Sequence, residues 1–169
     1  MALLRGVRDA DRGRRLIRSP LWVLALVLLL LVVLAAGCRR DDPSLQPDAV
    51  LRDSLGLGDD DRVHRIQLSS PANRETVEPG SVEVSPGDWV EFRTADRRVH
   101  AVSFVLDSLA PAAAEFLRSS SQESSPPLVE PEARFLVSFA GAPVGRYPFV
   151  VAGNGAEARG SIVVAEPSR

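Results

Sequence analysis

The feature that most constrains the fold is a series of short segments, from residue 63 to residue 164, in which apolar and polar residues alternate. Alternation with a period of two places one set of side chains on one face of a β-strand. The turn sequences Pro79-Gly80 and Pro86-Gly87-Asp88 separate several of these segments. Short strands at this spacing predict an all-β protein, an antiparallel β-sandwich. The predicted strands are 63–68, 82–84, 90–92, 102–104, 134–139, 147–151 and 161–164.

The strand around residue 90 also predicts which side chains face the core. Trp89 and Val90 are adjacent and cannot both point inwards in a regular strand. We therefore expect Val90 and Phe92 inside and Trp89 at an edge or on the other face. The other residues expected in the core are Val102, Phe104, Phe139, Tyr147 and Phe149.

An insertion at residues 107–133 interrupts the strand pattern. Residues 111–118 predict a two-turn helix, because Pro111 suits a first helical turn and three alanines follow it. Residues 119–127, SSSQESSPP, predict a flexible loop. The expected fold is therefore a sandwich with a short helical insertion.

The N-terminal region has the pattern of an export signal. Residues 1–20 carry six arginines and two aspartates, and residues 21–36 form an apolar run. This run is shorter than the roughly 20 residues of a simple membrane-spanning helix. It ends in Leu34-Ala35-Ala36-Gly37-Cys38, which resembles a bacterial lipobox, where a peptidase cuts before the cysteine and a lipid is attached to its sulfur.

This resemblance implies that residues 1–37 are removed, that Cys38 carries a covalent lipid, and that the chain is anchored to a lipid membrane of the cell envelope or periplasm. The alternative is a signal-anchor helix that stays uncleaved, and both alternatives export the remaining chain. Arg39, and not an aspartate, follows Cys38. In some lipoproteins, an aspartate at that place is a signal for retention in the inner membrane. Its absence here slightly favours the outer membrane in a cell with two membranes.

Residues 38–61 predict an acidic tether, and residues 62–166 predict the folded domain. Within the tether, Pro47 at a first turn and Gly56 as a stop predict a short helix over 47–55, either docked on the domain or solvated. From Cys38 onwards the chain has 14 arginines, 20 acidic residues and no basic stripe, which argues against nucleic-acid binding. Cys38 is the only cysteine, so no disulfide stabilises the domain.

Two stretches resemble the cupredoxin family, the plastocyanin- and azurin-like copper proteins. The first is VEVSPGDWVEF at 82–92, followed by Asp96 and by HAVSF at 100–104. The second is GRYPFVVAGNGAEARGSIVV at 145–164. The resemblance implies a cupredoxin-like Greek-key β-sandwich, with the first copper histidine in the first stretch and the remaining ligands between the last two strands.

A type 1 copper site uses two histidines, a cysteine thiolate and a weak axial methionine. On the resemblance, His100 falls at the first histidine position, whereas Val151, Asn154 and Ala158 fall at the cysteine, second histidine and methionine positions. The resemblance thus implies relict copper-ligand positions at one end of the sandwich and no metal. We expect His100 to be buried or half-buried and hydrogen-bonded across the relict loop.

The remaining candidates offer little chemistry. His64, the second of the two histidines, is expected to be exposed on its strand. No nucleophile-elbow motif or Gly-rich phosphate loop is present, so we do not expect an enzyme. The sequence Gly153-Asn154-Gly155 is typical of a tight turn.

The sequence therefore predicts a membrane-anchored exported lipoprotein whose cupredoxin-like domain is a non-redox binding or scaffold module of the cell envelope. Its expected partners are the membrane, through Cys38, and an envelope protein of unspecified identity. The alternative function is a copper-binding, blue-copper-like electron-transfer protein, for which the cofactor would be copper.

Overall fold

The computed structural model of the chain describes residues 42–166, in which eight strands form two four-stranded sheets. The first sheet has the order β2-β1-β4-β6 and the second the order β3-β8-β7-β5. The predicted β-sandwich is confirmed, and β2 is a strand that the sequence did not predict. The strands are β1 (Val63–Ser69), β2 (Thr76–Glu78), β3 (Ser81–Val84), β4 (Trp89–Thr94), β5 (His100–Phe104), β6 (Arg134–Ser138), β7 (Gly145–Gly153) and β8 (Ala158–Val164).

The sheets are mixed, not purely antiparallel as predicted. Strand β1 runs parallel to β4, and β3 runs parallel to β8. The reason is the path of the chain, which passes from β2 in the first sheet to β3 in the second and back to β4 in the first. Because of this crossing, β4 returns beside β1 in the same direction.

The core lies between the two sheets. It consists of the side chains that the alternation of apolar and polar residues predicted to face inwards. Phe92 and Phe149 meet edge to face with their ring centroids 5.0 Å apart, which joins the two sheets. Trp89 points away from this core, so the prediction for the 89–92 strand is confirmed. The predicted core residues that are buried are Val90, Phe92, Val102, Phe104, Phe139, Tyr147 and Phe149.

A short helix, α1 (Ala49–Leu55), packs on the outer face of the first sheet. Asp48 caps it by accepting a hydrogen bond from the backbone N–H of Leu51 at 3.0 Å, and Gly56 ends it in the left-handed conformation at φ 67°. Of the two alternatives left open by the sequence, the helix is docked. A small second core lies beneath it, formed by Leu51, Leu57, Val63, Trp89 and Leu136.

A buried ionic network also holds the segment that contains α1. Glu91 is fully buried on the outer side of the first sheet, with Arg65 Nε and Arg134 Nη1 each 3.1 Å from its carboxylate. Arg134 Nη1 also lies 2.7 Å from Asp48 Oδ2, and Arg65 donates to the carbonyl of Gln46 at 2.7 Å. Residues 42–166 therefore pack as one unit.

The insertion contains the predicted helix, α2 (Pro111–Ser119), whose Leu117 is buried in the core. The prediction of a flexible loop at 119–127 is wrong. Ser125 donates its N–H to the carbonyl of Val102 at 2.9 Å and accepts the N–H of Val102 on its hydroxyl at 2.9 Å. Leu128 exchanges two backbone hydrogen bonds with His100. This segment covers the edge of β5, which would otherwise present unpaired backbone groups.

The predicted export signal at residues 1–37 and the lipidation residue Cys38 lie outside the described residues. Within residues 42–166, no helix has the length and apolar character needed to cross a bilayer.

Candidate functional site

The four positions to which the resemblance assigned the copper ligands lie at the same end of the second sheet. His100 begins β5 and faces Gly153 of β7 across the ladder. Val151 of β7 is paired with Ala158 of β8. Asn154 follows in the turn of the β7–β8 hairpin and is exposed, whereas Val151 is fully buried.

His100 is enclosed by two carboxylates. Its Nδ1 lies 2.6 Å from Glu75 Oε2, and its Nε2 lies 2.8 Å from Asp96 Oδ1. The side chains of His100 and Glu75 are fully buried, and that of Asp96 is 31% exposed. His100 is thus buried and hydrogen-bonded, but its partners are these two carboxylates. We call the three residues the His100 cluster.

Glu75 reaches the cluster because its backbone is fixed to the β7–β8 hairpin. Its N–H donates to the carbonyl of Ala156 at 2.8 Å, and the N–H of Ala156 donates to the carbonyl of Asn73 at 3.0 Å. A Cβ at Gly153 would overlap Glu75 Oε1, and a Cβ at Gly155 would overlap the backbone of Asn73. The two glycines are therefore required for close approach, in addition to the turn that the sequence predicted.

Asp96 is held by three hydrogen bonds. Besides His100, the backbone N–H groups of Ser70 and Arg98 donate to its carboxylate at 2.7 and 2.9 Å. Burial by itself would raise the pKa of Asp96, but these hydrogen bonds outweigh it and the pKa is lowered. Asp96 is therefore an ionised acceptor at neutral pH.

Sequence reasoning did not find Glu75. It lies in the loop before β2, and no sequence spacing relates it to a histidine 25 residues later. Asp96 was part of the cupredoxin-like stretch, but no role was assigned to it. A carboxylate four residues before a histidine was the only available signal, and it is a weak one in a loop.

The expectation for His64 is wrong. Its side chain is only 14% exposed, and its Nε2 lies 2.9 Å from Asp88 Oδ2. Asp88 also accepts the N–H of Ser85 at 2.9 Å. Burial raises the pKa of Asp88, but the hydrogen bonds from His64 and Ser85 outweigh that effect and lower it. His64 is half-buried because it shares the inward face of β1 with Ile66 and Leu68.

The residues at this end do not fit a type 1 copper ion. Both ring nitrogens of His100 face carboxylate oxygens, so neither nitrogen is open to a metal. Val151 and Ala158 offer only carbon atoms. Within the part of the chain from 42 to 166, no group of three or more His, Cys, Asp or Glu side chains is arranged to hold a metal ion.

A separate cleft of about 460 Å³ lies on the outer side of the second sheet. Its polar side chains are Ser81, Arg146, Arg159 and Ser161. None of the candidate site residues named from the sequence lines this cleft.

Of the known proteins compared with this chain, only solved structures are similar to it. No protein-family model and no curated protein matches the chain. The oxidised plastocyanin of Dryopteris crassirhizoma is 22% identical, with a TM-score of 0.47 over 60% of this chain and 99% of the plastocyanin. A pseudoazurin from Sinorhizobium meliloti is 23% identical, with a TM-score of 0.43 over 63% and 76% of the two chains.

A purple cupredoxin from Nitrosopumilus maritimus is 16% identical, with a TM-score of 0.41 over 60% of this chain and 99% of that one. The described residues form a β-sandwich of two four-stranded sheets, as the resemblance in the sequence implied. At these identities and TM-scores, the neighbours do not indicate what this chain binds.

Proposed function

We propose that this chain is an exported lipoprotein, anchored to the membrane through Cys38, whose cupredoxin-like domain is a non-redox binding or scaffold module of the cell envelope. The observation that carries the proposal is the environment of His100. Its two nitrogens lie 2.6 and 2.8 Å from carboxylate oxygens, so neither ring nitrogen is open to copper.

The composition of the chain supports the same proposal. The sequence has one cysteine, Cys38, and one methionine, Met1. Neither a thiolate nor a thioether is therefore available from the folded domain to complete a type 1 site. Without a thiolate, the charge-transfer absorption that colours such sites has no donor.

A copper-binding experiment on the chain from Arg39 onwards tests the proposal that the domain has no redox role. The protein is incubated with Cu²⁺, desalted and analysed for metal content and visible absorption. We expect a colourless protein with far less than one copper per chain. Copper that is stoichiometric after desalting and is lost in His100→Ala, but retained in His64→Ala, would restore the electron-transfer alternative.

Lipid labelling of the full-length chain in a bacterial host tests the anchor. The lipobox resemblance predicts incorporation of a radioactive fatty acid in the wild type and none in Cys38→Ala, which should also remain unprocessed. A wild type that is neither labelled nor shortened would show an uncleaved signal anchor. This result would leave the copper experiment unaffected.

A further inference from the structure

Three separate loops meet at the end of the sandwich where the His100 cluster lies. Glu75 belongs to the connection between β1 and β2, Asp96 to the connection between β4 and β5, and Gly153 to the β7–β8 hairpin. His100 contacts the first two directly, and Glu75 contacts the third through Gly153 and Ala156. One buried ring therefore links elements of both sheets.

With both carboxylates ionised, the hydrogen-bond geometry decides how many protons this ring carries. An ionised carboxylate accepts hydrogen bonds and cannot donate them. A neutral imidazole has one N–H, so it can donate to one of its two carboxylate neighbours and would direct a lone pair at the other. Only the imidazolium donates from both nitrogens, and such charge-assisted bonds are short, as the 2.6 and 2.8 Å separations are.

The surroundings also favour a cation at this place. Glu75 is buried, and its Oε1 has no hydrogen-bond partner within the described residues. The described ion pairs give Glu75 and Asp96 no cationic partner other than His100. A buried carboxylate without a paired cation would be strongly destabilising.

We propose that the imidazolium of His100, bound by Glu75 and Asp96, is an ionic cross-link that supplies at this end of the sandwich the positive charge and the loop connection that a metal ion supplies in a metal site. The cluster thus substitutes for the copper that these residues do not fit. It keeps three loops in a fixed arrangement without any cofactor. This inference holds whether or not Cys38 is lipidated.

NMR of the histidine rings measures directly how many protons the ring nitrogens of His100 carry. The protein used is the chain from Arg39 onwards, because its described part packs as one unit. At neutral pH, the His100 ring should show protons on both nitrogens, shifted downfield and slow to exchange with water. His64 is the internal control, because the described contacts give only its Nε2 a carboxylate partner. A bare, unprotonated nitrogen in the His100 ring would overturn the proposal.

Stability of matched variants tests the cross-link itself. Glu75→Gln keeps the shape of the side chain but removes its charge, and it should lower Tm by about 10 °C. Glu75→Gln combined with His100→Gln should lower Tm by clearly less than the sum of the two single changes, since both break the same pair. A Tm that stays unchanged in Glu75→Gln, or additive losses in the double variant, would contradict an ionic cross-link.

Discussion

Gly153 lies where the β7–β8 hairpin touches the buried carboxylate of Glu75, and no space for a side chain exists there. A Cβ at this position would overlap both Glu75 Oε1 and the carbonyl oxygen of Val99. The backbone of Gly153 is not in the left-handed region, so the constraint is steric and not conformational. The close contact between the hairpin and Glu75 therefore depends on a glycine at this position.

We expect Gly153→Ala to reduce the free energy of unfolding by about 1–3 kcal/mol, because the added methyl group overpacks the contact. Urea denaturation of the variant measures this loss. Gly58→Ala is the matched control, since its Cβ would meet only Asp61 Oδ2 at an ordinary 3.8 Å. Equal stability of the two variants would show that the hairpin does not press on Glu75.

The Asp88–His64 pair gives a prediction for the pH dependence of stability. The pKa of Asp88 is lowered in the folded state, so its ionised form is stabilised by folding. This contribution is complete above the unfolded-state pKa of about 3.9 and is lost as the pH falls through the folded-state pKa.

Asp88→Asn should therefore make the loss of stability between about pH 5 and pH 2 less steep, as measured by urea midpoints across that range. Asp53→Asn, an exposed carboxylate on α1, is the control and should leave the slope unchanged. An identical slope for wild type and Asp88→Asn would refute the assignment.

At the scale of elements, the segment around α1 and the segment after α2 are both bound to the sandwich by specific partners. The first buries Leu51 and is fixed by a buried network around Glu91. The second exchanges backbone hydrogen bonds with β5. Both are polar, Pro-containing stretches, and composition alone does not reveal such partners.

Leu51→Ala should reduce the free energy of unfolding by about 2–5 kcal/mol, because it leaves a cavity beneath α1. Val50→Ala is the matched control on the same helix, since Val50 is 59% exposed and its truncation should change stability by less than about 0.5 kcal/mol. A small effect of both changes would mean that α1 is solvated and not docked.

Ser125→Ala removes the hydroxyl that accepts the N–H of Val102, and we expect it to cost about 1–3 kcal/mol and to speed limited proteolysis within 119–127. Ser124→Ala next to it has no side-chain hydrogen bond to lose. Cleavage at the same rate in the two variants and the wild type would contradict the pairing.

At the scale of the whole molecule, the aromatic side chains between the sheets hold the sandwich together. Phe92 meets Phe149 edge to face and stacks with Phe135 at 6.0 Å, so it contacts both sheets. The ring of Phe104 lies 6.3 Å from that of Phe149. Burial of this apolar surface is the main stabilising contribution, because no disulfide is available.

Truncation of Phe92 or Phe104 to Ala should each reduce the free energy of unfolding by about 3–5 kcal/mol in chemical denaturation. Val129→Ala serves as the control, since Val129 is 51% exposed. Losses below about 1 kcal/mol for both phenylalanines would show that the strand register is wrong.

The sequence by itself determined the sandwich and its core. The period-two alternation around Val90 and Phe92 assigned each side chain to a face, and a strand register follows from that assignment. The short helix that ends at Gly56 was also predicted, because a glycine stop is a local signal, although the helix begins at Ala49 and its cap, Asp48, was not predicted. Local patterns of this kind lie within a few residues of one another and need no knowledge of the fold.

Only the tertiary structure decided the parallel pairing of β1 with β4, the attachment of residues 119–127 and the composition of the His100 cluster. Each depends on residues far apart in sequence, such as Glu75 and His100, whose approach is set by the crossing of the chain between the sheets. The sequence suggests only that His100 could be a metal ligand. The groups that contact its two ring nitrogens are decided by the packing of three loops. That packing places His100 between two carboxylates at a position where the sequence resembles a metal site.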